Sequence, residues 1–327
     1  MSEEKKTYVP NYPVDLHAHT TRSDGADTPQ ELVDHAAALG MKILALTDHD
    51  IRPPEKISLA ETGEEVDIVG YAAGRGLRLL RGTEISCETT AEDCHIVCLG
   101  CDWTDPFFDE LEAAVVQSKI DGYRETVERL CRAGYTVTWA EVLENGGHPV
   151  TEDHVQKKML FELLARKGFF PSWSEAKLMI KNTPEFNVAR KKPDPVEVIG
   201  RIHACGGVAI MAHPYLVNEP VSVPAGIMDR NDYILRLIAS GLDGIEARYT
   251  YGKTSYGGSL SGEEIASEVL SRYAPLVRFI SGGSDYHADG KKGVKNPREV
   301  GECGLTVEEF LSADILPGLL PPEAVLG

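Results

Sequence analysis

The sequence predicts an α/β fold built on a parallel sheet or barrel, on the strength of two observations. Seven short apolar runs, most of 4–8 residues and rich in Val, Ile or Leu, are typical of buried strands. Helical patterns lie between several of these runs, and alternation of strand with helix favours parallel pairing. With 327 residues, of which 42% are hydrophobic, the chain is long enough to bury a large core.

The predicted strands and the helices between them follow in chain order. The strands are Val14–His19, Lys42–Thr47, Arg78–Ile85, His95–Gly100, Val208–Ala212, Gly244–Ala247 and Val277–Ser281. After the first strand, "TPQELVDHAAALG" has Pro29 near its start and Gly40 just past its end, which frames a helix. "DPVEVIGRIHACGG" and "NDYILRLIASGLDG" precede the fifth and sixth strands in the same way.

One junction departs from this alternation. Only nine residues, "SCETTAEDC", separate Ile85 from His95, whereas a parallel crossover needs about a dozen or more. The third and fourth strands are therefore predicted to form an antiparallel hairpin. In such a hairpin the start of the fourth strand lies beside the end of the third, which places His95 close to Glu84.

The middle of the chain carries four helical patterns and no strand candidate, from about Asp102 to Pro193. We interpret it as a helical insertion that covers the substrate. The predicted domains are residues 1–102 and 195–327, which form the two parts of the barrel, with the insertion at 103–194.

Composition and charge exclude several classes of function. A formal net charge of −18 disfavours binding to extended nucleic acid, although a local metal site can still attract a small anion. Seven cysteines suggest no disulfide framework, and no apolar run approaches the roughly 18 residues of a membrane span. We expect a cytoplasmic protein without a membrane partner, and its oligomeric state stays open.

Histidines and carboxylates concentrate at the predicted strand ends. His17 and His19 lie two residues apart on a strand, so their side chains share a face, and six of the seven strands bring such a group to one rim. The candidate ligands are His17, His19, Asp24, His49, Glu84, His95, His213, Asp285 and His287. Nitrogen and oxygen ligands suit Mn²⁺, Zn²⁺ or Fe²⁺, and nine are enough for two or three divalent ions.

Six motifs together resemble the polymerase-and-histidinol-phosphatase (PHP) superfamily of metal-dependent phosphoesterases: "DLHAHTTRSDG", "ALTDHD", "GTEIS", "HIVCLG", "AHP" and "GGSDYH". The resemblance implies a distorted (β/α)7 barrel with a helical insertion and fills all nine ligand positions of the family. It assigns a first ion to His17, His19, Glu84 and Asp285. Glu84 would bridge to a second ion on His95 and His213, and Asp24, His49 and His287 would hold a third.

A phosphate ester is the substrate that such a centre predicts. Three divalent ions carry about +6 against three carboxylates, and a water bridging two ions would lose a proton near neutral pH and attack phosphorus. Asp48, His154 and Tyr251 are candidates to protonate the leaving group. For substrate binding we expect Arg190 and Lys192, which alternate with Lys191, together with Arg248 and Lys253.

The resemblance also indicates a branch of the superfamily. The insertion before "PDPVEVIGRIHACGGVAIMAHP" is similar to that of small phosphoesterases, but Glu152–Asp153 precede His154 where many members carry an Arg-Pro-His-like motif. The "YTYGKTSYGG" loop looks more like that of cyclic phosphodiesterases. We therefore expect hydrolysis of a sugar cyclic phosphodiester, such as ribose-1,2-cyclic-phosphate-5-phosphate, and then of the resulting monoester.

Two alternatives stay open. One is a nucleoside 3′,5′-bisphosphate phosphatase or 5′–3′ oligoribonuclease. The other is a metal-dependent amidohydrolase acting on C–N bonds, because related barrels use similar histidine and aspartate sets.

Overall fold

The computed structural model describes residues 8–88, 90–91 and 93–321 and contains one seven-stranded sheet whose strand order follows the chain. All seven predicted strands are present in it. Their bounds are β1 Val14–Asp15, β2 Ile43–Leu46, β3 Arg78–Ser86, β4 His95–Leu99, β5 Val208–Met211, β6 Gly244–Arg248 and β7 Phe279–Gly282. Two small hairpins, Lys56–Ser58 with Glu65–Asp67 and Val221–Val223 with Gly226–Met228, lie outside this sheet.

Strand β4 runs against the others, as the short connection predicts. It pairs antiparallel with β3, where Ser86 lies opposite His95, and antiparallel with β5. Every other ladder in the sheet is parallel. The hairpin therefore delivers the first residue of β4 to the edge at which the parallel strands end.

The sheet curves into a nearly closed barrel, which confirms the predicted fold class. The chain that follows β1 meets the chain around β7: Leu16 N donates to Gly282 O at 3.2 Å, and His19 N donates to Tyr286 O at 2.8 Å. Strand β1 is shorter than predicted because its ladder with β2 ends at Asp15; beyond it the chain bonds to the β7 side and, through Ala18, to Thr47 after β2.

Two apolar clusters lie on opposite faces of the strands. Ile43 and Ala45 join a cluster with residues from β1, β3, β4, β5 and β7, which fills the ring of strands. Leu44 and Leu46 join another cluster, which packs under α1 (Pro29–Ala38) and α2 (Ile68–Ala73). This division follows from the alternation of side chains along a strand.

The other helices are α3 Pro106–Arg132, α4 Trp139–Glu144, α5 Lys157–Arg166, α6 Trp173–Asn182, α7 Pro195–Ala204, α8 Arg230–Ala239, α9 Gly262–Arg272 and α10 Val307–Ser312. Helix α1 begins with a capping box in which Thr28 and Glu31 bond reciprocally, with Pro29 in the first turn. Within the described residues, no helix is both long enough and apolar enough to cross a bilayer.

The chain divides into two compact units. One comprises residues 1–109 and 193–327 and holds the barrel, and the other comprises residues 110–192. The second unit has a core of its own, to which α3, α5 and α6 contribute Leu130, Leu164 and Ile180. Helix α3 begins in the first unit, and the boundary falls within it.

Candidate metal centre

All nine candidate ligands lie in the barrel unit: Glu84 lies near the end of β3, and each of the others follows or begins a strand of the sheet or lies in the turn after β1. They form three groups in which the potential ligand atoms lie within 4.8 Å of one another. The groups are His17, His19, Glu84 and Asp285; His19, Asp24, His49 and His287; and His49, Glu84 and His95. His213 approaches the same cluster, with Nε2 2.9 Å from Glu84 Oε1.

The number of groups equals the number of ions that the resemblance implies, but the membership of the groups differs. His19 and His49 each belong to two groups rather than one. His213 belongs to none of the three groups and contacts Glu84 and the rings of His17 and His95. The assignment of individual ligands to individual ions remains a proposal.

Glu84 lies at the middle of the cluster, and its Oε2 atom is buried without a hydrogen-bond partner. Around that oxygen lie Nε2 of His17 at 3.1 Å, Nε2 of His19 at 3.2 Å and Nδ1 of His49 at 3.0 Å. Two nitrogen or oxygen ligands each about 2.1 Å from one ion lie about 3.0 Å apart at the right angles of octahedral coordination and about 3.4 Å apart at tetrahedral angles. The spacing and the unsatisfied oxygen therefore fit a site for divalent cations.

The other oxygen of Glu84, Oε1, contacts two further histidines. Oε1 lies 2.9 Å from Nδ1 of His95 and 2.9 Å from Nε2 of His213. The predicted proximity of His95 to Glu84 is thus present in the structure. Nδ1 of His213 and Nδ1 of His19 are buried without a hydrogen-bond partner, which adds two nitrogens for which a cation would be a partner.

The pKa values of the buried carboxylates and histidines show that the cluster favours positive charge. Burial would raise the pKa of Glu84, but nearby histidines, His17 above all, hold that pKa well below its ordinary value. Burial would lower the pKa of His19, but the neighbouring carboxylates of Asp285 and Glu84 raise it to about 9. The carboxylates therefore draw protons onto the histidines, and a bound cation would supply that positive charge instead.

The histidines at the edge of the cluster differ from those at its centre. Burial lowers the pKa of His49 to about 4, and the positive charges of His19 and His95 act in the same direction. A neutral imidazole is the form that ligates a metal. Asp24 is the most exposed ligand candidate, with its carboxylate 3.0 Å from Nε2 of His287.

Two glycines allow the backbone to approach the histidines. A Cβ atom on Gly25 would lie 2.6 Å from the carbonyl oxygen of His19, and one on Gly283 would overlap the side chain of His17. These glycines let the turn after β1 and the end of β7 pack directly against the HxH pair. They explain why glycine stands at these two places in "TTRSDG" and "SGGSD".

The backbone is strained at several of these positions. His213 has φ 29° and Asp285 has φ 53°, both in the left-handed region that residues other than glycine rarely adopt. Asp50, whose carboxylate accepts a bond from Ser86 N at 2.8 Å, has φ 56°. Strain of this kind persists only where the surrounding structure fixes it, and it is typical of functional sites.

Strand β6, the one strand of the seven without a predicted ligand, also contributes to the cluster through Glu246, which was not predicted. Glu246 is buried, its Oε1 lies 2.9 Å from Nδ1 of His17, and its Oε2 accepts a bond from His213 N at 2.7 Å. A carboxylate on the far nitrogen of a ligand histidine fixes the ring and its tautomer. An acidic residue inside the apolar run "GIEAR" is the signal that could have identified it.

Two further unpredicted contacts converge on Asp285. The Tyr249 hydroxyl donates to its Oδ2 at 2.7 Å, and the Arg298 guanidinium donates to the same atom at 2.6 Å. Tyr249 is the first residue of the "YTYGKTSYGG" loop, whereas Arg298 lies outside the motifs of the sequence.

A pocket of about 280 Å³ opens over the cluster. Besides ligand candidates, its walls include Lys253, Tyr249 and Arg298. Lys253 is the predicted substrate-binding residue that the structure brings to this pocket; its ammonium also donates to Glu302 at 2.7 Å and to the Pro297 carbonyl at 2.8 Å. The described lining of the pocket does not include Asp48, Arg248 or Tyr251.

These three residues have other partners in the structure. Asp48 accepts bonds from Thr20 N at 2.8 Å, the Thr20 hydroxyl at 2.7 Å and the Ser23 hydroxyl at 2.6 Å, and so holds the turn that carries Asp24. Tyr251 accepts a bond from Tyr215 N at 3.2 Å, and burial holds its pKa well above the ordinary value, which disfavours it as a proton donor.

Arg248 is bound elsewhere as well, because its guanidinium pairs with Glu309 through contacts of 2.7 and 3.0 Å. The predicted roles of Asp48, Tyr251 and Arg248 therefore lack support from their positions.

The remaining predicted residues belong to the second unit. His154 ends a short 3-10 helix at Glu152–His154, where its exposed ring lies 3.0 Å from the Thr151 hydroxyl. Arg190 and Lys192 lie in the segment after α6. Their predicted roles, protonation of the leaving group and substrate binding, stay predictions.

This chain is similar to several known proteins. The family model described as "PHP domain" matches residues 15–168. A 3′,5′-nucleoside bisphosphate phosphatase of Chromobacterium violaceum is 28% identical, over 88% of this chain and 90% of that protein. The 5′-3′ exoribonuclease Rnm of Escherichia coli is 32% identical, over 62% of this chain and 67% of that protein.

Two more similarities cover more than four fifths of the chain. The phosphoribosyl 1,2-cyclic phosphate 1,2-diphosphodiesterase of Eggerthella lenta is 28% identical, over 84% of this chain and 93% of that protein. A solved structure from Bifidobacterium adolescentis, described as a putative metal-dependent phosphoesterase, shares the fold, with a TM-score of 0.61 at 24% identity over 94% of this chain and 96% of that one. Together with the barrel and its histidine–carboxylate cluster, these similarities show that the chain belongs to the PHP-domain family of metal-dependent phosphoesterases.

Proposed function

We propose that this enzyme hydrolyses small phosphate esters at a centre of two or three divalent ions, Mn²⁺, Zn²⁺ or Fe²⁺, with a sugar cyclic phosphodiester as its leading substrate and the resulting monoester as the next. The observation that carries the proposal is Glu84 Oε2, a buried oxygen without a hydrogen-bond partner and with three imidazole nitrogens about it. Bound divalent ions would acidify a water and neutralise the phosphoryl oxygens.

The chain's own residues would arrange this centre. His17, His19, Glu84 and Asp285 form the most buried ligand group, and Asp24, His49 and His287 form a more open one at the pocket. His95 and His213 complete the ligand set on Glu84 Oε1. Glu246 would hold His17 in the tautomer that presents Nε2 to the centre.

The size and charge of the pocket favour a small anionic substrate. A volume of about 280 Å³ is near the lower end of ligand pockets, which span roughly 300–1,000 Å³. Lys253 and Arg298 place cationic groups in its wall, within a protein whose formal net charge is −18. A phosphate group on a small carbon skeleton fits this setting better than a long polyanion.

The names of the relatives support two candidates within this class. One relative is named for phosphoribosyl 1,2-cyclic phosphate and another for 3′,5′-nucleoside bisphosphates, and each is similar over more than four fifths of this chain. In the second unit, Glu152 is engaged by Trp139 at 2.8 Å and by Arg124. The acidic pair that stands before His154 is therefore partly structural, and the bisphosphate remains the second candidate.

Phosphate release from a substrate panel tests the proposal. The panel holds a sugar 1,2-cyclic phosphate, the matching sugar monophosphate, a nucleoside 3′,5′-bisphosphate, a 5′-phosphorylated RNA oligomer and a set of amides, each assayed with Mn²⁺. We expect the cyclic ester to have the highest kcat/KM. A preference for the bisphosphate or the oligomer would replace the leading substrate. Ammonia release from amides without phosphate release from any ester would refute the proposal.

A further inference from the structure

Asp285 is held on one side by residues that are not ligand candidates. Its Oδ1 faces the cluster, 3.0 Å from Nε2 of His19 and 3.5 Å from Nε2 of His17. Its Oδ2 faces away and accepts bonds from Arg298 Nη1 at 2.6 Å and from the Tyr249 hydroxyl at 2.7 Å. One oxygen of this carboxylate therefore faces the ligand histidines, and the other is held by Arg298 and Tyr249.

Arg298 is itself fixed by a second carboxylate. Its Nε donates to Asp289 Oδ2 at 2.7 Å and its Nη2 donates to Asp289 Oδ1 at 3.2 Å, which is a two-point contact. The planar fork of a guanidinium matches a carboxylate in this way, whereas a lysine ammonium is a flexible point charge. The Arg298 side chain is only 13% exposed, so it has little freedom to leave this position.

The backbone gives a second reason to connect these contacts with the centre. Asp285 and Ala288 adopt φ values of 53° and 52°, and Arg298 reaches back to the chain on both sides of Ala288, at Asp285 and at Asp289. Residues other than glycine are strained in the left-handed region and need support from their surroundings. Arg298 provides that support at the carboxyl end of β7.

We infer that Arg298 and Tyr249 are positioning residues that hold Oδ2 of Asp285, so that Oδ1 alone is offered to a divalent cation in the His17–His19 group. Without them the carboxylate could rotate and offer both oxygens or neither. The inference rests on the proposed function for its place in catalysis, but it concerns cation binding, which is measured without any substrate.

Metal titration of purified variants tests the inference. Mn²⁺ binding is followed by calorimetry, and the electron paramagnetic resonance spectrum of the bound ion is recorded for each protein. Loss of an outer partner of a metal ligand typically costs about 10–100-fold in affinity. We expect a loss of that size for Arg298→Ala and a smaller one for Tyr249→Phe, with an altered spectrum in both. Arg298→Lys should recover part of the loss, because it keeps the charge but not the fork.

Arg278→Lys is the matched control. Arg278 also donates to a buried aspartate, Asp243, at 3.0 Å, but this pair lies directly before β6 and β7, at the opposite end of the barrel. The control should bind Mn²⁺ with the affinity and spectrum of the wild type. If Arg298→Ala does not fold, Tyr249→Phe carries the test alone, since it removes a single hydroxyl.

Three results would overturn the inference. One is wild-type Mn²⁺ affinity and spectrum in folded Arg298→Ala and Tyr249→Phe. Another is full recovery in Arg298→Lys, which would mean that charge alone matters. The third is a raised KM for a phosphate ester with unchanged metal binding, which would make Arg298 a substrate-binding residue. Failure of every ester substrate would refute the proposed function and leave the titration result standing.

Discussion

Each end of the barrel buries a carboxylate among basic groups, Asp243 at one end and Glu84 at the other. Both oxygens of Asp243 have polar partners, whereas one oxygen of Glu84 has no hydrogen-bond partner. Before β6, Asp243 Oδ2 accepts from Ala209 N at 3.0 Å and lies 2.8 Å from His203 Nε2, while Oδ1 accepts from Arg278 at 3.0 Å. At the carboxyl end, Glu84 Oε2 has three imidazole nitrogens within 3.2 Å and no hydrogen bond. Burial and nearby histidines are common to both; the unsatisfied oxygen distinguishes a cation site from a structural network.

The largest effect expected from this comparison is that of Glu84→Gln. The variant removes the charge at the middle of the cluster, so ester hydrolysis should fall by more than the roughly hundredfold cost of losing an outer partner. Initial rates of phosphate release, with metal content by mass spectrometry, measure it. A variant that keeps both its metal and its rate would show that the unsatisfied oxygen is not the functional one.

Glu246→Gln should have the next largest effect. The variant keeps the shape but removes the charge beside Nδ1 of His17, so Mn²⁺ affinity should fall by about tenfold, the lower end of the range for outer partners. Titration of Mn²⁺ into the purified variant measures it. Unchanged Mn²⁺ affinity would mean that Glu246, like Asp243, stabilises the fold and does not contribute to cation binding.

Asp243→Asn tests the end of the barrel at which both oxygens of the buried carboxylate have polar partners. Arg278 and Ala209 N would lose a charged acceptor, and the free energy of unfolding should fall by about 1–3 kcal/mol. Urea denaturation gives this value. Metal content and kcat/KM of the folded variant should match the wild type, and a loss of bound metal would contradict the division between the two ends.

The smallest effect is expected for Arg248→Lys. Because Arg248 pairs with Glu309 rather than lining the pocket, the variant should lose at most about 1 kcal/mol of stability and keep its KM for phosphate esters. Steady-state kinetics and thermal unfolding measure both quantities. A several-fold rise in KM would indicate that Arg248 does bind the substrate.

Patterns that are local in sequence predicted most of the fold and of the cluster. Strand runs, helix frames and a nine-residue connection were enough to anticipate the parallel sheet, the hairpin and the contact of His95 with Glu84. Glu246 was missed because its partner His17 lies 229 residues away in the sequence, although an acidic residue inside an apolar run was visible. The Arg248–Glu309 pair spans 61 residues of sequence, and no local pattern marks such a pairing.

The near closure of the barrel has a consequence for the order in which the centre assembles during folding. The Glu84–His95 contact spans 11 residues, whereas the bond from Ser284 N to Asp15, beside the HxH pair and Asp285, spans 269. Local contacts form at a lower entropic cost than distant ones, so we expect the hairpin to form early and the first and last strands to meet late. High-affinity metal uptake would then report the final step of folding, the joining of the two ends of the sheet.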